Sequence, residues 1–225
     1  VVQDGEGAWV SVRPWSLSAR DNLNLYVFIG VLMLTGAVFG ALLVNALTFE
    51  QQQGLADELN AYLAKVGDPL SLQAGAAFWD RFGLYFKWLG LIWLLGLSVI
   101  GLPLVLALDF MKGMLIGFTV GSIVRQLEWK GVAVSLAAIA PQNAIVVPAL
   151  MIASVSASRF AYYIVRERLF RKKGKLLPPF LQHTAVALIM LLLLGCAALY
   201  EAYLSPMLLE RLTAIVPSGA ESVPR

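Results

Sequence analysis

The chain has 225 residues, of which 59% are apolar and only 14% charged, and its mean hydropathy is +0.76. That leaves too little polar surface for a soluble globule of this size, so the bilayer is its solvent. The net charge of +3 is no nucleic-acid signal, because seven of the 17 Lys and Arg fall between Arg159 and Lys175. Such clustering is the charge bias of a membrane protein.

In chain order, Trp9 and Trp15 with Arg13 suggest a short segment lying on the inner membrane surface. No charged n-region, short apolar core and small-residue cleavage pattern is visible, so the first span is expected to serve as the insertion signal. A spanning helix needs roughly 20 apolar residues, and Leu25 to Leu47 supplies them. The loop from Thr48 to Phe78 follows on the outer side. Within it Leu55, Leu59, Tyr62, Leu63 and Val66 recur at helical spacing opposite Asp57, Glu58 and Asn60. This predicts an amphipathic helix from about Glu50 to Lys65 that lies on the outer leaflet or docks a partner.

The apolar stretch from Phe82 to Val124 would reach roughly 65 Å as one helix, against a hydrocarbon core of about 30 Å. It must turn back, and Gly101-Leu102-Pro103 is the expected break, since Pro cannot continue the helix behind it. Spans near 79–100 and 104–124 result, either crossing twice or forming a re-entrant pair. A fourth span is expected over 132–156, broken at Pro141 and Pro148, and a fifth over 180–204. Trp79, Tyr85, Trp88, Tyr200 and Tyr203 fit interfacial belts. Arg13, Arg20 and the seven basic residues of the 159–175 linker outnumber the scattered Lys65, Arg81, Arg125, Lys130 and Arg211. The linker and the N-terminus are therefore expected in the cytoplasm and the C-terminus outside. The reading is an all-α, polytopic integral membrane protein with a single membrane domain over 1–217 and a flexible tail over 218–225.

Gly36 and Gly40, and Gly113, Gly117 and Gly121, stack glycines on one helix face, which lets helices approach closely. The contact is either within one chain or between the subunits of a homo-oligomer. Asp109 and Lys112, three apart, share a face and are expected to neutralise each other, either as a packing bridge or as a functional pair. Gln142 and Asn143 after Pro141 place amides and freed carbonyls inside a membrane helix, as a kink or as a substrate-facing break. Glu201 sits at the outer end of the last span, snorkelling or meeting a partner. Cys196, the lone cysteine, reads as a small packing residue. His183, the lone histidine, reads as an interface residue at the cytoplasmic start of the fifth span. One histidine excludes a metal site of several His ligands, and no Gly-x-x-x-x-Gly-Lys-Ser/Thr phosphate loop is present. No enzyme chemistry and no cofactor are expected.

Four ordered blocks carry a resemblance. Gly36 to Leu47 (GAVFGALLVNAL), Ser98 to Gly121 (SVIGLPLVLALDFMKGMLIGFTVG), Ala140 to Leu150 (APQNAIVVPAL) and Glu201 to Pro206 (EAYLSP) together resemble the stage II sporulation protein M family, over roughly Asn22 to Leu209. The matching positions include Gly36, Gly40, Asn45, Gly101, Pro103, Lys112, Gly113, Gly117, Pro141, Gln142, Asn143, Pro148, Glu201 and Pro206. The resemblance implies a multi-pass scaffold in the septal membrane that localises the wall hydrolases called stage II sporulation proteins D and P during engulfment. The alternative is a membrane subunit of a transporter or channel, energised by a partner on the cytoplasmic linker. Membrane lipid is the one contact both readings share.

Overall fold

In oil every backbone polar group must be satisfied within the chain, which leaves helices as the spanning element. The structure is a computed structural model that describes residues 2–3, 9–10, 23–48, 50–55, 57, 74–98, 100–165 and 176–215. It is an all-α, polytopic membrane architecture. Its helices are α1 (Leu23–Leu43, tightening into a 3₁₀ turn at Val44–Ala46), α2 (Ala74–Gly96), α3 (Gly101–Ala138), α4 (Ala140–Tyr163) and α5 (Leu177–Ile215). Among the described residues the one departure is a two-residue antiparallel ladder of β1 (Val2–Gln3) with β2 (Trp9–Val10). Trp9 lies in that ladder, while Arg13 and Trp15 of the expected surface segment lie outside the described residues.

Among the described residues, four helical stretches are long and apolar enough to cross a bilayer: Leu23–Ala46, Gly101–Arg125, Ala140–Tyr163 and Leu177–Tyr203. The exception is α2, which carries Asp80, Arg81 and Lys87. It is nevertheless packed into the bundle, with Tyr85, Leu89 and Ile92 buried.

The contacts give each helix its direction. Met33, Ala37 and Ala41 of α1 meet Gly113, Gly117 and Gly121 of α3 in rising order, so these two helices run parallel. Trp88 of α2 lies under Lys112 of α3, and the turn over 97–100 joins these helices as an antiparallel hairpin. Ser156 and Phe160 of α4 face His183 and Phe180 of α5, again antiparallel. The turn over 97–100, the end of α4 and the start of α5 therefore share one end of the bundle, here called the linker end. The 3₁₀ turn after α1 and the starts of α2 and α4 share the far end.

At the centre stands α4, which touches all four other helices. From Ala153 to Ser158 every residue is buried, and most are Ala or Ser, so neighbouring helices approach closely from several sides. The largest core cluster joins Tyr85, Leu89 and Ile92 of α2 to Leu150 and Ala157 of α4 and Leu194 of α5.

Two expected breaks are shifted by a few residues. The hairpin turns at 97–100, and Gly101 and Pro103 open α3 instead of ending α2. Proline in a first helical turn loses only a donor that has no helical partner there anyway. The stretch from Arg125 to Ala138 holds no proline, so α3 runs on through the region assigned to the start of a fourth span. The expected interruption near Pro141 falls at Ile139, where α3 ends and α4 begins, and Pro141 stands in the first turn of α4. Pro148 does lie inside α4, which continues past it. Cys196 faces outward rather than packing inside.

Candidate functional site

Three polar constellations punctuate the apolar bundle. The deepest is at the α3–α4 contact, where Asp109 is 1% exposed and accepts a 2.7 Å hydrogen bond on Oδ1 from Ser154 Oγ. Asp109 Oδ2 and Ser158 Oγ are buried without a hydrogen-bond partner. Since α4 advances 100° per residue, Ser154 and Ser158 share a face while Ser156 turns toward α5. There Ser156 Oγ lies 3.0 Å from His183 Nδ1, and His183 Nε2 lies 3.3 Å from the Trp93 carbonyl. A carbonyl only accepts, so Nε2 carries the proton and Ser156 donates to Nδ1. Phe160 stacks on the imidazole at 5.4 Å, and Gly96 admits it, since a methyl group there would come within 2.9 Å of Nε2.

His183 is therefore a core residue, 3% exposed, not an interface one. The Ser156–His183 pair has the geometry of a nucleophile and its base. The space around it, lined by Leu89, Ile92, Trp93, Ala153 and Ala187, has no room for a water molecule. Its evident work is to satisfy two buried polar side chains against each other.

Asp109 and Lys112 do not pair. Asp109 faces α4, whereas Lys112 Nζ sits over the Trp88 ring of α2 at 5.5 Å from its centroid, a cation–π contact. One helix turn separates the two residues, but each is claimed by a different neighbouring helix. Glu201 has a settled place as well. It makes a 3.1 Å ion pair with Arg81 Nε and accepts a 2.8 Å bond from Tyr85 Oη, clamping α5 to α2. The Arg81 side chain is 41% exposed and that of Glu201 only 9%. Tyr85 is thus buried in this clamp rather than lying in an interfacial belt, whereas Trp79 and Tyr203 are exposed as a belt requires.

The glycine faces come together within one chain. A methyl group on Gly36 would overlap the Phe110 carbonyl, and one on Gly40 the Met114 carbonyl. Reciprocally, Gly113 faces the Met33 carbonyl and Gly117 the Ala37 carbonyl. Gly121 is less tight, with 3.1 Å to Ala41 Cα. These contacts occupy both faces, so neither is left for a second subunit.

At the far end, Arg125 closes this seam by donating to the Val44 carbonyl at 3.2 Å and to Asn45 Oδ1 at 2.9 Å. Thr48 and Gln51 bond each other's backbone N–H, a capping box that starts the helical residues 50–55. Against these lies a pocket of about 230 Å³ lined by Val44, Leu47, Gln52, Leu55, Ser122 and Arg125. Leu55 is thereby placed, while Leu59, Tyr62 and Leu63 lie outside the described residues. Gln142 and Asn143 are half-buried in the first turn of α4, where Asn143 Nδ2 donates to the Ile139 carbonyl at 2.9 Å. That bond stays within the first turn of α4, on a carbonyl that the Asn143 backbone N–H also reaches.

A family model described as Stage II sporulation protein M matches residues 29–206. The chain belongs to that family. The match includes part or all of each of the five helices, and the glycine seam, the Asp109–Ser154 contact and the Glu201 clamp all fall within its bounds. No curated protein and no solved structure matches the chain.

The serines of α4 and the core role of His183 went unread in the sequence. A signal was present in Ala153-Ser154-Val155-Ser156-Ala157-Ser158, a run of small and hydroxylated residues that hydrocarbon does not favour on an outer face.

Proposed function

We propose that this sporulation-family membrane protein is a non-enzymatic scaffold. It holds extracytoplasmic peptidoglycan hydrolases, of the kind called stage II sporulation proteins D and P, at the septal membrane during engulfment. The linker end, with the basic 166–175 stretch, faces the cytoplasm, and the far end faces the wall. The observation that carries the reading is the α1–α3 seam. It locks residues 33–41 of α1 and 110–121 of α3, two to three turns, backbone to backbone and ends in the Arg125 contacts, the capped helix at 50–55 and the pocket beside them. That rigid outer platform suits holding a partner, and the family supplies the process.

Affinity purification from native membranes tests the proposal. The full chain should bring down a wall hydrolase, and deletion of residues 50–66 should lose it. Recovery of a cytoplasmic ATPase in its place would replace the scaffold with a transport subunit. One observation favours that second reading, the buried Asp109 oxygen with no partner. Flux in proteoliposomes unchanged by Asp109→Asn and Asn143→Ala would remove it.

A further inference from the structure

Helix α2 is the one helix whose composition does not suit oil, and the reason is concentrated on one face. At 100° per residue, Lys87 lies about 140 to 160° around α2 from Tyr85, Leu89 and Ile92, the residues that bury it in the bundle. Lys87 is accordingly exposed. It stands nine residues before the inner end at Gly96, or about 13 Å, and next to Trp88, which meets Lys112 halfway along the apolar part of α3. This is hydrocarbon depth, where an ammonium group facing lipid is unfavourable and needs a partner. Among the described residues no carboxylate pairs with it.

The same face carries Gly83 and Gly90, one turn to either side of Lys87, with Asp80 and Leu94 beyond them. A methyl group on Gly83 or Gly90 would meet nothing within 4 Å. These glycines therefore differ from those of the α1–α3 seam, which are filled by a neighbouring backbone. The result is a bare strip, open to close approach, with a cation at its centre.

We propose that this face of α2 docks a transmembrane helix of another protein, a carboxylate of that helix pairing with Lys87 between the two glycines. Charge decides against a second copy as the occupant. A two-fold axis along the membrane normal would set Lys87 against Lys87 and Asp80 against Asp80. Among the described residues, the acids within the apolar spans are also in the wrong places: Asp80 is about 10 Å along the axis, Asp109 is buried, and Glu201 is held by Arg81 and Tyr85. The inference stands apart from the hydrolase reading, since it specifies the chemistry of the docking helix and nothing of what its owner does.

The test reconstitutes the full chain at low density in phosphatidylcholine vesicles and measures energy transfer to synthetic Leu/Ala transmembrane peptides with a central Glu, Gln or Lys. The Glu peptide should bind about tenfold more tightly than the Gln peptide, the scale of an interhelical polar contact in lipid. Lys87→Gln should erase that preference, Lys87→Glu should transfer it to the Lys peptide, and Gly90→Ile should weaken Glu-peptide binding with no loss of folded protein. Equal binding of Glu and Gln peptides would overturn the proposal. So would an unchanged preference in both Lys87 variants, or energy transfer between differently labelled copies of the chain that Gly90→Ile abolishes, which would assign the face to self-association. No hydrolase enters this assay, so it and the purification with the 50–66 deletion fail independently.

Discussion

Replacing Gly117 by alanine puts the close approach of α1 and α3 to a quantitative test. The added methyl would overlap the Ala37 carbonyl, part of a helix backbone that cannot step aside alone. The helices must therefore separate by an ångström or more. Overpacking of a filled contact costs about 1–3 kcal/mol, and a radial gap of about 0.5–1 Å forfeits a quarter to a half of each neighbouring dispersion well. The reciprocal glycine-to-carbonyl contacts, worth about 0.5–1 kcal/mol each, weaken along with it. A total of about 3–5 kcal/mol follows, set against the gain of about 1 kcal/mol that alanine brings over glycine in a helix. Gly121→Ala should cost much less, because its 3.1 Å approach to Ala41 Cα needs only a small shift. Gly83→Ala, in open space, should stabilise slightly. Equilibrium unfolding in mixed micelles, followed by tryptophan fluorescence, ranks the three. If Gly117→Ala unfolds no more easily than Gly83→Ala, the seam is not what holds α1 to α3.

Ser154→Ala removes the sole hydrogen bond seen at Asp109 and should cost about 1–3 kcal/mol in the same unfolding assay. Asp109→Asn, which keeps an acceptor for Ser154, should cost under about 1 kcal/mol. Glu201→Gln should lose no more than about 1 kcal/mol, because the partly exposed Arg81 recovers hydration and Tyr85 can still donate to the amide oxygen. For sidedness, Cys196→Ser first removes the native thiol. A cysteine then placed at Ser71 should react with an impermeant maleimide in intact cells, and one at Gly174 should react only after permeabilisation. The reverse pattern would invert the proposed orientation.

Much of the fold was legible because hydrophobic length and glycine spacing are local properties. The apolar run at 25–47, the stacked glycines and the need for a turn between 82 and 124 are written in consecutive residues. The turn itself lies a few residues before its expected site, since Pro103 can stop one helix or start the next and sequence alone does not distinguish these. The region from Val132 to Ala138 joined α3 because Arg125, Glu128 and Lys130 mark where an apolar run ends, not where a helix does. What could not be read was pairing across helices. Asp109 and Lys112 look like an ion pair along one helix, and only the placement of α2 and α4 sends one to Ser154 and the other to Trp88. In the same way, Glu201 looked free until α2 brought Arg81 and Tyr85 to it.

The parallel run of α1 and α3 also bears on how a charged helix comes to lie in the membrane. Two helices adjacent in the chain and joined by a short turn run antiparallel, so a parallel glycine seam requires an odd number of crossings between its partners. Here α2 is the intervening crossing, and an Asp, an Arg and a Lys give it an insertion cost of about 2.5–3.5 kcal/mol for each charge at mid-membrane, less near an end. It does not bear that cost alone. The short turn at 97–100 ties it to the apolar α3, and α3 is drawn to α1 by backbone contacts that no other pair in the bundle matches. Once α3 is seated, Arg81 is discharged by Glu201, and Tyr85, Leu89 and Ile92 are buried against α4 and α5. Of the three charged side chains, that leaves Asp80 near the far end, within reach of water, and Lys87 at a depth where a second protein is the natural source of its counter-charge.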